Sequence, residues 1–307
     1  MKEEILRRLD QIEREDDVRI VYACESGSRA WGFESTDSDW DVRFIYVHPR
    51  DWYLSIDVGE KRDVIERPIN DELDISGWDL RKALKLLRKS NPPLLEWLSS
   101  PIVYKETPGT KSFPPYKLGV PPRASQSGPD VGGVAGFSSP PYEGGVDAVS
   151  ADGVVLSIAQ QLRNAVAEFY SPISAFHHYL HMAQGNYREF LKGDVVWIKK
   201  YFYVLRPLLA IRWIEIDPTL PVPMEFQKLV DACVDEAKVR EAVEELLARK
   251  RAGQELDRQP KIAVLSDFID TQLTRLETID VQAREKPNFE KLNEIFRSAI
   301  YQIADSR

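Results

Sequence analysis

Two acidic residues near the start of the chain have a spacing that suits metal chemistry. Asp39 and Asp41 stand two residues apart at the beginning of an apolar run that ends at Val47. On a strand, residues two apart share a face, so the two carboxylates project together. Such a pair repels itself unless a cation lies between its members, and a hard divalent cation with oxygen ligands fits that position. The sequence therefore predicts a metal site here.

A glycine–serine pair lies shortly before these carboxylates. Gly27 and Ser28 follow an earlier apolar run, residues 18–23, that is rich in β-branched side chains and predicts a buried strand. Glycine lets the backbone approach a ligand closely. Serine adds a hydroxyl at a turn into a short helix, where exposed amides favour phosphate. The pair therefore predicts a phosphate contact beside the metal site.

Together these features resemble the signature of the nucleotidyltransferase superfamily, a Gly-Ser after the first strand and an Asp-x-Asp on the second. The sequence is similar in more detail to the predicted nucleotidyltransferases associated with RNA repair. Four stretches carry this likeness in order: 27–32 (GSRAWG), 38–43 (SDWDVR), 73–80 (LDISGWDL) and 91–98 (NPPLLEWL). The resemblance is strong for residues 18–106 and weaker beyond them.

A third carboxylate is expected on the strand that begins at Leu73. Alternation along this strand places Leu73 and Ile75 on one face and Asp74 on the other. Glu72 shares the face of Asp74, so parity alone leaves both residues open. The resemblance is what favours Asp74.

The resemblance implies an activity and a role for each of these residues. The ligands of two Mg²⁺ ions, for which Mn²⁺ is an alternative, would be Asp39, Asp41 and Asp74, and the groups at the nucleotide would include Gly27, Ser28 and Arg29. An acceptor hydroxyl would attack the α-phosphorus of a nucleoside triphosphate, take up the nucleoside monophosphate and release pyrophosphate. The expected acceptor is an RNA end. Two alternatives stay open, namely AMP transfer to a protein, as in antitoxins with the same core, and a non-catalytic nucleotide- or RNA-binding module.

A basic helix is predicted directly after the third carboxylate, over residues 79–89. Leu80, Leu84 and Leu87 form its apolar stripe, and five cations occupy the rest of its surface. A charged run is usually only a solvated face. Its position favours contact with the phosphates of an RNA acceptor, and Lys85 and Arg88 are the residues predicted to make that contact.

Further cations that could reach the nucleotide lie on a long helix predicted over residues 195–214. Lys199, Tyr203 and Arg206 are spaced i, i+4, i+7 and so share one helix face. Helical domains that follow a nucleotidyltransferase core often direct such cations at the triphosphate, and Tyr203 could stack on a base. A solvated or salt-bridged face is the alternative for the two cations, and core packing is the alternative for Tyr203.

The chain divides into three parts by composition. Residues 107–153 contain 8 of the 20 prolines and 9 of the 16 glycines. A stretch of this composition buries too little apolar surface to become ordered, so we predict a flexible insertion or linker that takes no part in the chemistry. We therefore expect an α/β (α+β) nucleotidyltransferase domain with a mixed sheet over residues 1–106 and an all-α helical domain over 154–307. The active site is expected in the cleft between these two domains.

Charge and cysteine usage limit the setting. The formal net charge of −8 argues against a protein that coats nucleic acid non-specifically, so any polyanion site must be local. The two cysteines, Cys24 and Cys233, lie too far apart in sequence for a thiol zinc motif or a disulfide framework. No signal peptide and no run of 18 apolar residues occurs. We expect a cytoplasmic protein without a membrane partner.

Overall fold

The structure is a computed structural model that describes residues 1–68, 72–109, 155–254, 256–277 and 287–304. Most of the predicted insertion, residues 110–153, lies outside the described residues, and so do residues 69–71. The flexible insertion therefore stays a prediction.

A five-stranded mixed sheet forms the first part of the chain. Its strands are β1 (Arg19–Ser26), β2 (Trp40–Val47), β3 (Val64–Glu66), β4 (Leu73–Asp79) and β5 (Val103–Glu106), in the order β3-β4-β2-β1-β5. β2 and β4 pair in parallel, whereas the other neighbours are antiparallel. In the parallel pair, Asp41 lies directly opposite Asp74. The predicted mixed sheet is confirmed, and its register brings two of the expected carboxylates together.

Five helices surround this sheet, and their sequences explain their placement. They are α1 (Lys2–Glu15), α2 (Ser28–Trp31), α3 (Arg50–Tyr53), α4 (Leu80–Arg88) and α5 (Pro92–Leu98). α1 buries Ile5, Leu9 and Ile12 against one face of the sheet. α4 and α5 begin at Asp79 and Asn91, whose side chains accept hydrogen bonds from backbone amides of the first turn.

The second part is mainly helical. It contains α6 (Ile158–Phe169), α7 (Pro172–Asn186) with a π-helical turn at Tyr187–Leu191, α8 (Lys200–Ile216), α9 (Phe226–Cys233), α10 (Ala237–Arg251), α11 (Ala263–Leu276) and α12 (Glu290–Ala304). It also contains an antiparallel ribbon of β6 (Val195–Trp197) and β7 (Arg258–Pro260). The predicted all-α domain is corrected on this point, because two β-branched residues at the start of the predicted long helix pair as a strand instead.

One hydrophobic core joins the sheet to the helices. Ile45 and Val47 of β2 belong to the same buried cluster as side chains of α6, α7 and α8. Since residues two apart on a strand share a face, Asp41 and Arg43 lie on the face that the helices cover. The candidate site is therefore at the border between the two parts of the chain.

Two features of the described residues bear on the expected setting. No helix among them is long and apolar enough to cross a membrane. Cys24 and Cys233 are both free and buried, and burial raises the pKa of the Cys24 thiol to about 12. A buried thiol with so high a pKa is inert. The cytoplasmic location stays a prediction.

Candidate active site

Two carboxylates from neighbouring parallel strands share one guanidinium. Nη2 of Arg43 donates to Oδ1 of Asp41 at 3.3 Å and to Oδ2 of Asp74 at 2.8 Å. Nη1 of the same side chain donates to the backbone carbonyls of Val42 and Asp74, each at 3.1 Å. Burial raises the pKa of the Asp41 carboxyl, Arg43 lowers it, and the nearby charges of Asp74 and Asp39 raise it. The site thus concentrates negative charge, as the sequence predicts.

The glycine of the Gly-Ser pair touches the first of these carboxylates. Gly27 has φ 74° and ψ −152°, a region that is essentially confined to glycine. A Cβ placed on Gly27 would lie 2.1 Å from Oδ2 of Asp41. Asp41 therefore directs one oxygen at Arg43 and the other at Gly27, just before α2.

We expect Gly27→Ala to reduce the expected nucleotidyl-transfer activity by about a hundredfold or more, because Asp41 must move to admit the methyl group. The strained backbone should also lower the free energy of unfolding by about 1 to 3 kcal/mol. The matched control is Gly32→Ala, since Gly32 also has a positive φ, 82°, but its Cβ would meet nothing within 4 Å. Steady-state kinetics and urea denaturation of both variants check this prediction, and equal losses of activity would contradict the contact with Asp41.

A buried glutamate fixes the backbone of Asp41 from the neighbouring strand. Oε1 of Glu25 accepts the backbone N–H of Asp41 at 2.9 Å, and its other oxygen accepts the hydroxyl of Tyr104 at 2.5 Å. Glu25 is fully buried, and this burial raises the pKa of its carboxyl. The sequence analysis did not identify Glu25, although it lies two residues before Gly27.

Arg29 holds the segment that leads to Asp39. Its guanidinium donates to the backbone carbonyl of Ser38 at 2.5 Å and to that of Asp39 at 3.2 Å. It also lies 3.8 Å from the ring centre of Trp40. Arg29 thus positions the exposed Asp39. Its predicted contact with a nucleotide stays a prediction.

The residue types at this site suit a hard divalent cation. Asp39, Asp41 and Asp74 supply only carboxylate oxygens, which Mg²⁺ and Mn²⁺ prefer. As the side chains stand, no three acidic, histidine or cysteine side chains among the described residues are close enough to hold a metal ion. At Asp41 and Asp74, the guanidinium of Arg43 contacts both carboxylates instead. The donor types therefore suit the metal, but the three carboxylates would have to move closer together to hold it.

The helical part places an aromatic residue near the carboxylates. Tyr203 of α8 is 36% exposed, and its ring packs edge to face on Trp31, with 5.9 Å between ring centres. Burial raises the pKa of Tyr203, and the charges of Asp41 and Asp39 raise it further. Tyr203 therefore faces the site across the border, beside the loop of the Gly-Ser pair.

Three lysines continue from Tyr203 along the same border. Nζ of Lys200 lies 4.8 Å from the ring centre of Tyr203. Burial lowers the pKa of Lys200, and the exposed Lys199 beside it lowers it further. Burial also lowers the pKa of Lys250 at the end of α10, where Asp37 opposes the shift and Lys199 adds to it. We call Lys199, Lys200 and Lys250 the lysine cluster.

The lysine cluster borders the segment between the Gly-Ser pair and β2. Arg251, the residue after Lys250, donates to the carbonyl of Gly32 at 2.9 Å. Lys250 also interacts electrostatically with Glu34 and Asp37 of that segment. Of these cations the sequence analysis selected only Lys199. Lys250 is far away along the chain on another helix, so only the tertiary fold reveals it.

Arg206 occupies a different place from the predicted one. Its side chain is 2% exposed, and Nη1 donates to Oε1 of the buried Glu96 at 3.0 Å. Its guanidinium also lies 4.7 Å from the ring centre of Trp31 and donates to the carbonyl of Met224. The predicted contact of Arg206 with a triphosphate is therefore corrected, because this side chain is enclosed and already paired. It joins α5, α8 and the loop of the Gly-Ser pair.

The structure places the two predicted acceptor contacts on α4 differently. Nε of Arg88 donates to the carbonyl of Pro287 at 2.7 Å, and its guanidinium lies 4.1 Å from the ring centre of Phe289. Arg88 thus contacts the segment before α12. Lys85 is exposed. The contact of both residues with RNA stays a prediction.

Comparison with known proteins gives two matches. The sequence matches the family model RlaP, described as the RNA repair pathway DNA polymerase beta family, over residues 1–112 and 152–298. The two matched segments flank the Pro- and Gly-rich stretch. The chain is also similar to the uncharacterized protein YcgL of Bacillus subtilis strain 168, with 42% identity over 305 residues, which is 99% of this chain and 98% of that protein.

Proposed function

Because the chain belongs to the RNA repair pathway DNA polymerase beta family, we propose that it is a metal-dependent nucleotidyltransferase that acts on an RNA end. It transfers a nucleoside monophosphate from a nucleoside triphosphate to an acceptor hydroxyl and releases pyrophosphate. The observation that carries the proposal is the register of β2 and β4, which sets Asp41 opposite Asp74. Gly27 lies against the first of these carboxylates.

The chain's own residues would hold and align the reactants. Asp39 and Asp41 would bind the metal-complexed triphosphate, and Gly27 and Ser28 would leave room for its β- and γ-phosphates. Asp74 would complete the cation site next to the acceptor hydroxyl. Glu25 keeps the Asp41 backbone in place through the hydrogen bond to its amide. When bound, two divalent cations supply charge neutralisation of the phosphates and a lower pKa for the attacking hydroxyl.

The lysine cluster is suited to the negative charge of the triphosphate. The charge of Lys199 repels those of Lys200 and Lys250, and burial makes the charged forms of Lys200 and Lys250 costly. A polyanion between the lysine cluster and the carboxylate-bound cations would reduce the repulsion among the lysines and offset the cost of burying their charges. This arrangement supports binding of the phosphate tail along the border, with Tyr203 available to the base.

We expect Lys250→Gln to weaken binding of a non-hydrolysable nucleoside triphosphate about tenfold, since it removes a charge-assisted contact. Isothermal titration calorimetry in Mg²⁺ measures the change. Lys238→Gln is the matched control, because Lys238 is an exposed residue at the other end of α10. Unchanged affinity in Lys250→Gln, or an equal loss in Lys238→Gln, would show that the lysine cluster does not bind the triphosphate.

The acceptor is proposed as RNA on the family's description and on the exposed Lys85. The net charge of −8 agrees with a local RNA contact rather than with coating of nucleic acid. AMP transfer to a protein is the second candidate, because the same carboxylates would serve it. A non-catalytic module is less well supported, since contact alone requires no convergence of carboxylates from two strands.

Radiolabelled substrate identifies the acceptor. The purified protein is incubated with each α-labelled nucleoside triphosphate, Mg²⁺ and either RNA with a free 3′ hydroxyl, the same RNA with a 3′ phosphate, or cell extract. Label on the RNA with the free hydroxyl alone supports the proposal. Label on protease-sensitive material in extract would replace RNA with a protein acceptor, and the absence of label in every reaction would contradict the enzymatic proposal.

A further inference from the structure

The guanidinium of Arg43 stands where a bound cation would be expected. It contacts one oxygen of Asp41 and one oxygen of Asp74 through a single nitrogen, Nη2. The two carboxylates belong to different strands, so Arg43 neutralises charge across the parallel pair. Its side chain is 18% exposed, compared with 27% for Asp41 and 29% for Asp74. Water therefore reaches the group, and the contacts can be exchanged.

The contacts of Arg43 leave part of the site free. Oδ2 of Asp41 faces Gly27 rather than Arg43. Asp39, which completes the Asp-x-Asp pair, interacts with Asp41 electrostatically. A first cation could therefore bind beside the loop while Arg43 keeps its place. A second cation shared by Asp41 and Asp74 could not, because Nη2 already lies between those carboxylates.

We infer that Arg43 is an internal counter-ion that holds Asp41 and Asp74 together and gives up the position between them when a divalent cation binds there. The inference rests on the proposed cation site of the three carboxylates. It makes Arg43 a positioning residue, which acts through Asp41 and Asp74 rather than on the substrate. Without Arg43, the charges of Asp41 and Asp74 would repel each other until a cation took its position.

Two further contacts of Arg43 explain how the exchange could occur without loss of the strand pair. Nη1 donates to the carbonyls of Val42 and Asp74, one on each strand. These backbone contacts do not depend on the carboxylates. Because the guanidinium is rigid and planar, Nη2 could leave only by a rotation that breaks at least one of the Nη1 bonds, and the other bond would keep Arg43 close enough to return when the cation leaves.

The inference predicts that Arg43→Gln binds Mn²⁺ more tightly than the wild type. Removal of the competing charge-assisted bonds should strengthen binding about tenfold. Titration of the full chain with Mn²⁺ alone, followed by electron paramagnetic resonance of the free ion, measures this without nucleotide or turnover. Circular dichroism verifies folding, and Arg43→Lys serves as a milder variant, since it keeps the charge but lacks the forked geometry.

Two variants separate direct competition from a general change in charge. Lys250→Gln also removes one positive charge from the border but contacts neither carboxylate, so its Mn²⁺ affinity should change little. In the double variant Arg43→Gln with Asp74→Asn, the gain should disappear, because the shared carboxylate is absent. An equal gain in Lys250→Gln would overturn the inference.

The remaining outcomes distinguish this inference from the proposed function. Tighter Mn²⁺ binding by Arg43→Gln in a protein that transfers no label to any acceptor would support the counter-ion and refute the enzyme. Mn²⁺ affinity equal to that of the wild type, together with weaker binding of a triphosphate in the absence of divalent cations, would make Arg43 a phosphate ligand and overturn the inference. If the wild-type protein transferred label to an acceptor in that case, the proposed function would still be supported.

Discussion

Asp41→Asn is expected to abolish nucleotidyl transfer, with a loss of about a thousandfold or more. Asp41 is the carboxylate that meets both Arg43 and the Gly27 loop, so its charge serves each part of the site. Asn keeps the shape but removes the charge that binds the cation, and stabilisation of the transition state by a metal is worth several kcal/mol. Label transfer per unit time, with saturating Mg²⁺ and nucleotide, gives the measurement.

The same variant should fold at least as stably as the wild type. Burial raises the pKa of Asp41 more than Arg43 lowers it, and the charges of Asp74 and Asp39 raise it further, so the ionised form costs stability at neutral pH and a neutral side chain removes that cost. Asp194→Asn is the matched control, since the side chain of Asp194 is 98% exposed. Near-normal turnover by folded Asp41→Asn would exclude the two-strand carboxylate site.

Arg206→Ala is expected to lower the free energy of unfolding by about 3 to 5 kcal/mol, because it leaves Glu96 buried without its cation. Glu96 is 7% exposed and accepts a hydrogen bond from Tyr179 as well. Loss of the guanidinium also removes the contact with Trp31. Urea denaturation measures the effect, which is a large fraction of the stability of an ordinary domain.

Two comparisons isolate this buried pair. Arg212→Ala removes another ion pair from α8, but its partner Asp235 is 86% exposed, so a loss of at most about 1 kcal/mol is expected. The double variant Arg206→Met with Glu96→Leu replaces both buried charges and should be more stable than Arg206→Ala. A loss in Arg206→Ala as small as that in Arg212→Ala would show that the pair does not hold the two parts together.

Local rules are enough to predict the relative placement of the first two carboxylates from the sequence. Alternation along a strand places Asp39 and Asp41 on one face without any tertiary information. The position of Asp74 opposite Asp41 follows from the pairing of β2 with β4, which the pattern alone does not determine. The same alternation places Arg43 on the face of Asp41, but it does not show that Arg43 contacts both Asp41 and Asp74.

Contacts between distant segments account for most of the differences. Helical spacing puts Lys199, Tyr203 and Arg206 on one face, yet Arg206 is enclosed by Glu96 and Trp31, which come from other parts of the chain. Helical spacing shows which side chains share a face of the helix, but not whether that face is buried. Lys250 enters the site only because the end of α10 packs beside Gly32.

Element boundaries differ where short-range preferences compete. The helix predicted over residues 195–214 begins at Lys200, because Val195 and Val196 pair with β7. By contrast, α4 begins after Asp79, a polar cap that the sequence displays, and the helix predicted over residues 79–89 agrees closely with the structure.

The central claim is that the protein transfers a nucleoside monophosphate to an acceptor at the carboxylate site. The most direct test is to follow the α- and γ-phosphates of the nucleoside triphosphate separately. Parallel reactions contain Mg²⁺, the RNA acceptor and a nucleoside triphosphate labelled at either the α- or the γ-phosphate, with wild type and Asp41→Asn side by side. The account predicts that the α-label joins the acceptor, that the γ-label leaves as pyrophosphate, and that Asp41→Asn does neither. Transfer of the γ-label to the acceptor, or equal α-label transfer by Asp41→Asn, would contradict it.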